Sequence, residues 1–176
     1  MQITKEWLKE KEACSEGLEW FERQSEADLY RLIDKLTEER CDDWANWLIT
    51  RAMSRPQLLQ YAISCAELVL PIFEEKYPSD NRPRAAIEAV KKVLLEDSQE
   101  NRDAADAAVY AAWDAAWDAA DAAYAAYAAR AASRAADAAA WAAADVVWSY
   151  DAADAARTSL SWKPILEIGI NILKGK

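Results

Sequence analysis

The sequence predicts an all-α fold, a single-domain helical bundle spanning residues 1–176, and three observations carry that expectation. From Asp103 to Arg157 the chain is mostly alanine, the strongest helix former, and the run contains neither Gly nor Pro. Upstream of it, apolar residues recur at helical spacing behind Ser, Thr and Asp caps. Strand signals are almost absent, the one alternating stretch being Leu166 to Ile172. The chain divides into an amphipathic helical scaffold at 1–97, Ala-rich helices at 98–157 and a C-terminal apolar segment at 158–176.

The elements follow in order. Thr4 is placed to cap a short helix reaching Glu12, and Ser15 to cap a second that carries Leu18, Trp20 and Phe21. Ser25-Glu-Ala-Asp28 reads as a capping box that opens a helix with Leu29, Leu32, Ile33 and Leu36 on one face. Asp42 to Met53 forms the next, with Trp44, Trp47 and Leu48 on one side. Pro56 suits a first helical turn, and the apolar run from Leu58 to Leu70 reads as the central helix, kinked or ended by Pro71. Tyr77 to Pro83 is a turn-rich linker, Pro83 restarts a helix through Leu95, and Ser98 caps the alanine tract. The tail from Trp162 to Leu173 reads as a helix with a proline start or, by its alternation, as a strand.

The tract itself is too long for one straight rod in a bundle, since 55 residues at about 1.5 Å each exceed 80 Å. Asp121, Tyr124, Tyr127 and Arg130 follow one another at strict intervals of three, so the non-alanine stripe slips back by about 60° at each step. The expected consequence is a break or bend between Ala125 and Ser133, with Ser133 capping the next segment and Ser149 or Asp151 another.

Composition excludes several kinds of function. Thirty-one Asp plus Glu against 21 Lys plus Arg give a net charge of -10, which repels nucleic-acid phosphates and anionic membranes. No direct nucleic-acid or membrane partner is expected. Three scattered cysteines, Cys14, Cys41 and Cys65, form no CxxC pair and read as reduced thiols in a cytoplasmic protein. With no His and no EF-hand spacing, no metal or cofactor is expected, and paired acids such as Asp42-Asp43 lack the second base that acid/base catalysis needs.

The candidate site lies in the first half of the tract. Asp103, Asp106, Asp114, Asp118 and Asp121 share about 120° of helix circumference, bordered by Tyr110, Trp113, Trp117 and Tyr124. Asp is a poorer helix former than Glu, and like charges on one face repel, so local stability does not account for the choice. Candidate partner-binding residues are therefore Asp103, Asp106, Asp114, Asp118, Asp121, Trp113, Trp117 and Tyr124. A solvated acidic face with tryptophans packed into the bundle is the competing reading. Trp7, Trp20, Trp44 and Trp47, on amphipathic helices, read as core.

Ala13-Cys14-Ser-Glu-Gly17-Leu18-Glu-Trp20-Phe21, Asp43-Trp44-Ala-Asn-Trp47-Leu48 and Arg82-Pro-Arg-Ala-Ala-Ile-Glu-Ala89, followed by the Ala-rich half, resemble the Imm5-like immunity proteins. The resemblance implies a non-enzymatic antidote, encoded in bacterial toxin-immunity loci and phages, that binds and occludes a toxin. It supplies no functional residues. Two alternatives stand beside it: a phage anti-defence protein, anti-CRISPR or anti-restriction, whose acidic face imitates nucleic acid, and a small-molecule-binding bundle. The smooth alanine face leaves a homodimer open. Arg82 or Arg84 is expected to reach Asp42 or Asp43 if their helices adjoin.

Overall fold

The computed structural model describes residues 1–119, 122–140, 145–159 and 161–176. Ten helices run through them: α1 Lys5–Glu10, α2 Ser15–Glu22, α3 Leu29–Glu38, α4 Asp42–Ala52, α5 Arg55–Lys76, α6 Arg82–Leu95, α7 Gln99–Asp118, α8 Ala123–Ala140, α9 Asp145–Ser159 and α10 Trp162–Leu173. No strand occurs among the described residues, only an isolated antiparallel bridge between Gln2 and Asp28. The chain is all-α, and the C-terminal tail takes its helical alternative.

Local chemistry sets most of the boundaries. Thr4 caps α1 by accepting from Trp7 N, and Ser98 caps α7 by accepting from Asn101 N. Two expected caps move by a few residues. Cys14, not Ser15, caps α2 through its sulfur, which accepts from Gly17 N. Asp28, not Ser25, caps α3, its carboxylate taking Tyr30 N and Arg31 N together where a hydroxyl offers a weaker acceptor. Ser54 donates both its N–H and its hydroxyl to Gln57 Oε1, each at 2.9 Å, and opens α5. Pro71 sits on an exposed position inside α5 and does not end it, since the helix continues to Lys76.

The alanine tract turns back earlier than its stripe implies. α7 ends at Asp118 and α8 runs unbroken from Ala123 through the 125–133 window, so the break there does not occur. Ser133 lies inside α8, and Ser149 and Asp151 lie inside α9, so none of them opens a helix. Slippage by steps of three leaves Tyr124, Tyr127, Arg130 and Arg134 within about 120° of arc, a side of α8 that is exposed at Tyr124 and Arg130 and half-buried at Tyr127 and Arg134, where it lines a cleft with Asp151 and Asp154. A drifting stripe marks a helix end only when it carries a polar group into the core, and here it does not.

α8 packs against α5, α6, α7 and α9. Among its described side chains, those buried are all alanine: Ala125, Ala128, Ala129, Ala131, Ala132 and Ala135. α7 offers Ala105, Ala112 and Ala115 to the same interior, and its C-cap Ala119 is buried beside them. These alanines are covered by the chain's own helices, so that face is intramolecular. The bulk comes from α5, where Leu58, Tyr61, Val69 and Phe73 are buried, and from α6 and α10 on its flanks.

α10 and α4 meet at a tight contact. A Cβ on Gly169 would lie 2.7 Å from Ile49 Cγ2 and 3.2 Å from Tyr61 Cε2. The same contact shields a buried polar pair, Tyr61 OH donating to Asn46 Oδ1 at 2.8 Å.

Two substitutions test this packing by equilibrium denaturation. Ala115→Leu, which drives three extra carbons into a closed interhelical seam, is expected to cost about 1–3 kcal/mol. Gly169→Ala is expected to cost a similar amount, because Ile49 and Tyr61 are fully enclosed and cannot step aside. Unchanged midpoints in both would show that neither seam is closed.

Candidate functional site

Because α7 buries Ala105, Ala112 and Ala115, helical geometry turns the opposite side to solvent. That side carries Asp103, Asp106, Asp114 and Asp118, all exposed. Along its middle stand Tyr110 and Trp117, with 68% and 67% of their surface accessible. They are seven residues apart and therefore nearly in line along the helix axis. Tyr124, at the start of α8, is 63% exposed.

The aromatic candidates divide. Trp113 lies on the flank of α7, half-buried, with the guanidinium groups of Arg130 and Arg134 each 5.3 Å from its ring centroid. Cation–π contact thus fastens α8 to α7 and occupies Trp113 internally. Tyr110 was readable in the sequence only as a border residue. Its register with Trp117, and with Asp106 and Asp114 four residues to either side, was the available signal that it belongs to the face itself. Asp121 lies outside the described residues.

The carboxylates differ in their surroundings. Gln99 Nε2 donates to Asp103 Oδ1 at 2.7 Å. Asp106 and Asp114 have no ion-pair partner among the described residues. Asp118 receives Arg82 Nη2 at 2.7 Å, and the same guanidinium holds Asp80 through Nε and Nη2. Arg82 therefore ties the start of α6 to the end of α7 rather than reaching α4. Arg84 likewise pairs with Glu74 on α5, at 2.6 and 2.7 Å. The expected bridges from Arg82 and Arg84 to Asp42 or Asp43 do not form, because α6 packs on α5 and α7 and these acids lie at the start of α4.

The N-terminal tryptophans fall largely where expected. Trp20 is buried, and Trp7, Trp44 and Trp47 pack half-buried against the core. Trp20 Nε1 donates to Glu39 Oε2 at 2.6 Å, which satisfies its polar edge. Among the described residues, no helix is long and apolar enough to cross a membrane.

The outer face of α7 thus alternates exposed acids, Asp103, Asp106, Asp114 and Asp118, with the exposed rings of Tyr110 and Trp117. The model of the Imm-5 like putative immunity protein family matches residues 48–156. The chain belongs to that family. The matched span contains α5, α6, α7 and α8 whole, and with them the entire outer face of α7. No curated protein and no solved structure matches the chain.

The Arg82 bridge has a pH signature. Arg82's hydrogen bonds hold the Asp80 carboxyl below its ordinary range. A carboxyl whose pKa is depressed on folding contributes stability that is present above its unfolded value, about 3.9, and is lost as pH falls through the folded value. Asp80→Asn is therefore expected to lower the melting temperature at pH 7 and to show a shallower loss below about pH 4 than the parent. Parallel pH profiles for the two proteins would exclude the bridge as a contributor.

Proposed function

We propose that this family member is a non-enzymatic immunity protein that neutralises a toxin by docking the outer face of α7 on it. The observation that carries the reading is the pair Tyr110 and Trp117, two large aromatics each about two-thirds exposed on a helix that had alanine available at every position. A monomer gains no stability from apolar rings left in water, whereas Tyr and Trp are the residues on which interfaces concentrate their affinity. Asp103, Asp106 and Asp114 surround them with negative charge, which suits a basic partner such as the nucleic-acid-gripping surface of a nuclease toxin.

The anti-defence alternative asks the acids to imitate a phosphate backbone. They suit that role less well, since Tyr110 and Trp117 interrupt the row and Arg82 neutralises Asp118 at one end. A cytoplasmic site of action fits three free thiols, one of them, Cys14, exposed.

Binding kinetics with the toxin captured from the producing cell test the reading. Asp103, Asp106 and Asp114 changed together to Asn are expected to slow association and flatten its salt dependence, with the fold intact, because exposed charges steer encounter. Trp117→Ala is expected to accelerate dissociation and cost about 2 kcal/mol or more. If neither variant changes either rate constant, the α7 face is not the interface.

A further inference from the structure

Two segments far apart in the sequence, Ala13–Phe21 and Asp43–Leu48, close around one cavity of about 300 Å³. α3 adds Leu32 and Leu36 to its lining. Trp20, Phe21, Trp44 and Trp47 supply aromatic walls, and the two charged residues of the lining, Glu12 and Asp43, are both acidic and exposed. No Lys or Arg lines it. Arg51 has its guanidinium 5.4 Å from the Trp47 ring centroid, its Nε donates to Lys11 O, and it also feels the charge of Glu12, which leaves Asp43 as the lining carboxylate without that neighbour. Arg51 is not part of the lining, so it leaves the interior open.

Aromatic rings attract cations through their negative faces, and the attraction grows when the cation is desolvated. Carboxylates at the margin add to it and penalise an anion. The volume stands at the low end of the roughly 300–1,000 Å³ range of ligand pockets, which favours a compact molecule over an extended peptide. We propose that this cavity is a binding site for a small organic cation with an apolar body, an aryl- or alkylammonium, seated among the tryptophans and balanced by Glu12 and Asp43. The site lies on α1–α4, separate from α7, and stands or falls independently of the immunity reading.

Isothermal titration calorimetry of the full chain tests it, with benzyltrimethylammonium as the cation and benzyl alcohol as a neutral aromatic of similar body. The cation is expected to bind about tenfold more tightly than the alcohol. The double variant Glu12→Gln, Asp43→Asn is expected to lose most of that difference by weakening the cation and leaving the alcohol unchanged. Trp44→Leu, which keeps the wall apolar and removes a ring, is expected to weaken the cation more than the alcohol, with melting curves confirming that each variant is folded. The proposal is overturned if the parent does not bind the ammonium. Equal binding of the two probes would overturn it too, making the cavity a plain apolar pocket, as would full cation affinity in the folded carboxamide variant.

Discussion

Among the described side chains of helix α8, those buried in the bundle interior are all alanine, and the arrangement around the helix follows from that. Ala125, Ala128, Ala129, Ala131, Ala132 and Ala135 let the backbones of α5, α7 and α9 approach closely, because the side chains at a contact set the distance between helix axes. Each methyl buries little apolar area, so the seam relies on many short dispersion contacts and on the low entropic cost of ordering alanine. The larger residues that a core of this size needs are supplied by neighbours, above all Leu58, Tyr61, Val69 and Phe73 of α5. Alanine on one side and bulk on the other make a division of labour between the two halves of the chain.

This division frees the outside of α7. Its inner methyls and the Arg130 and Arg134 contacts on Trp113 hold it in place, and Arg82 pins its C-terminal end through Asp118. Asp106, Tyr110, Asp114 and Trp117 face solvent and take no part in that anchoring. A rigid helix with unencumbered outer positions is well prepared for recognition, because little conformational freedom remains to be lost on docking.

Much of this was legible in the chain. Alanine content and the absence of Gly and Pro specify helix through the tract, and a period of 3.6 places the aspartates together on its outer side. Thr4 and Ser98 announce their helices because a hydroxyl beside free N–H groups has one evident use. The helix boundary was not legible where the stripe drifts, since Tyr124, Tyr127, Arg130 and Arg134 shift around α8 without displacing its buried alanines. Cys14 and Asp28 were hidden as caps by neighbouring serines with the better-known preference. Arg82 and Asp118 stand 36 residues apart, and only the packing of α6 on α7 decides that they meet. Trp113 and Trp117 read alike in sequence, yet about 40° of helical rotation sends one beneath two arginines and the other into solvent.

The central claim is that the alanine seam exists to hold an aromatic and acidic face outward for a partner. Hydroxyl-radical footprinting of the free chain and of its complex with the toxin measures this directly, residue by residue. The account predicts that Tyr110 and Trp117 react readily in the free protein and lose that reactivity in the complex, while the enclosed Tyr61 stays unreactive in both. Undiminished labelling of Tyr110 and Trp117 in a saturated complex would contradict it.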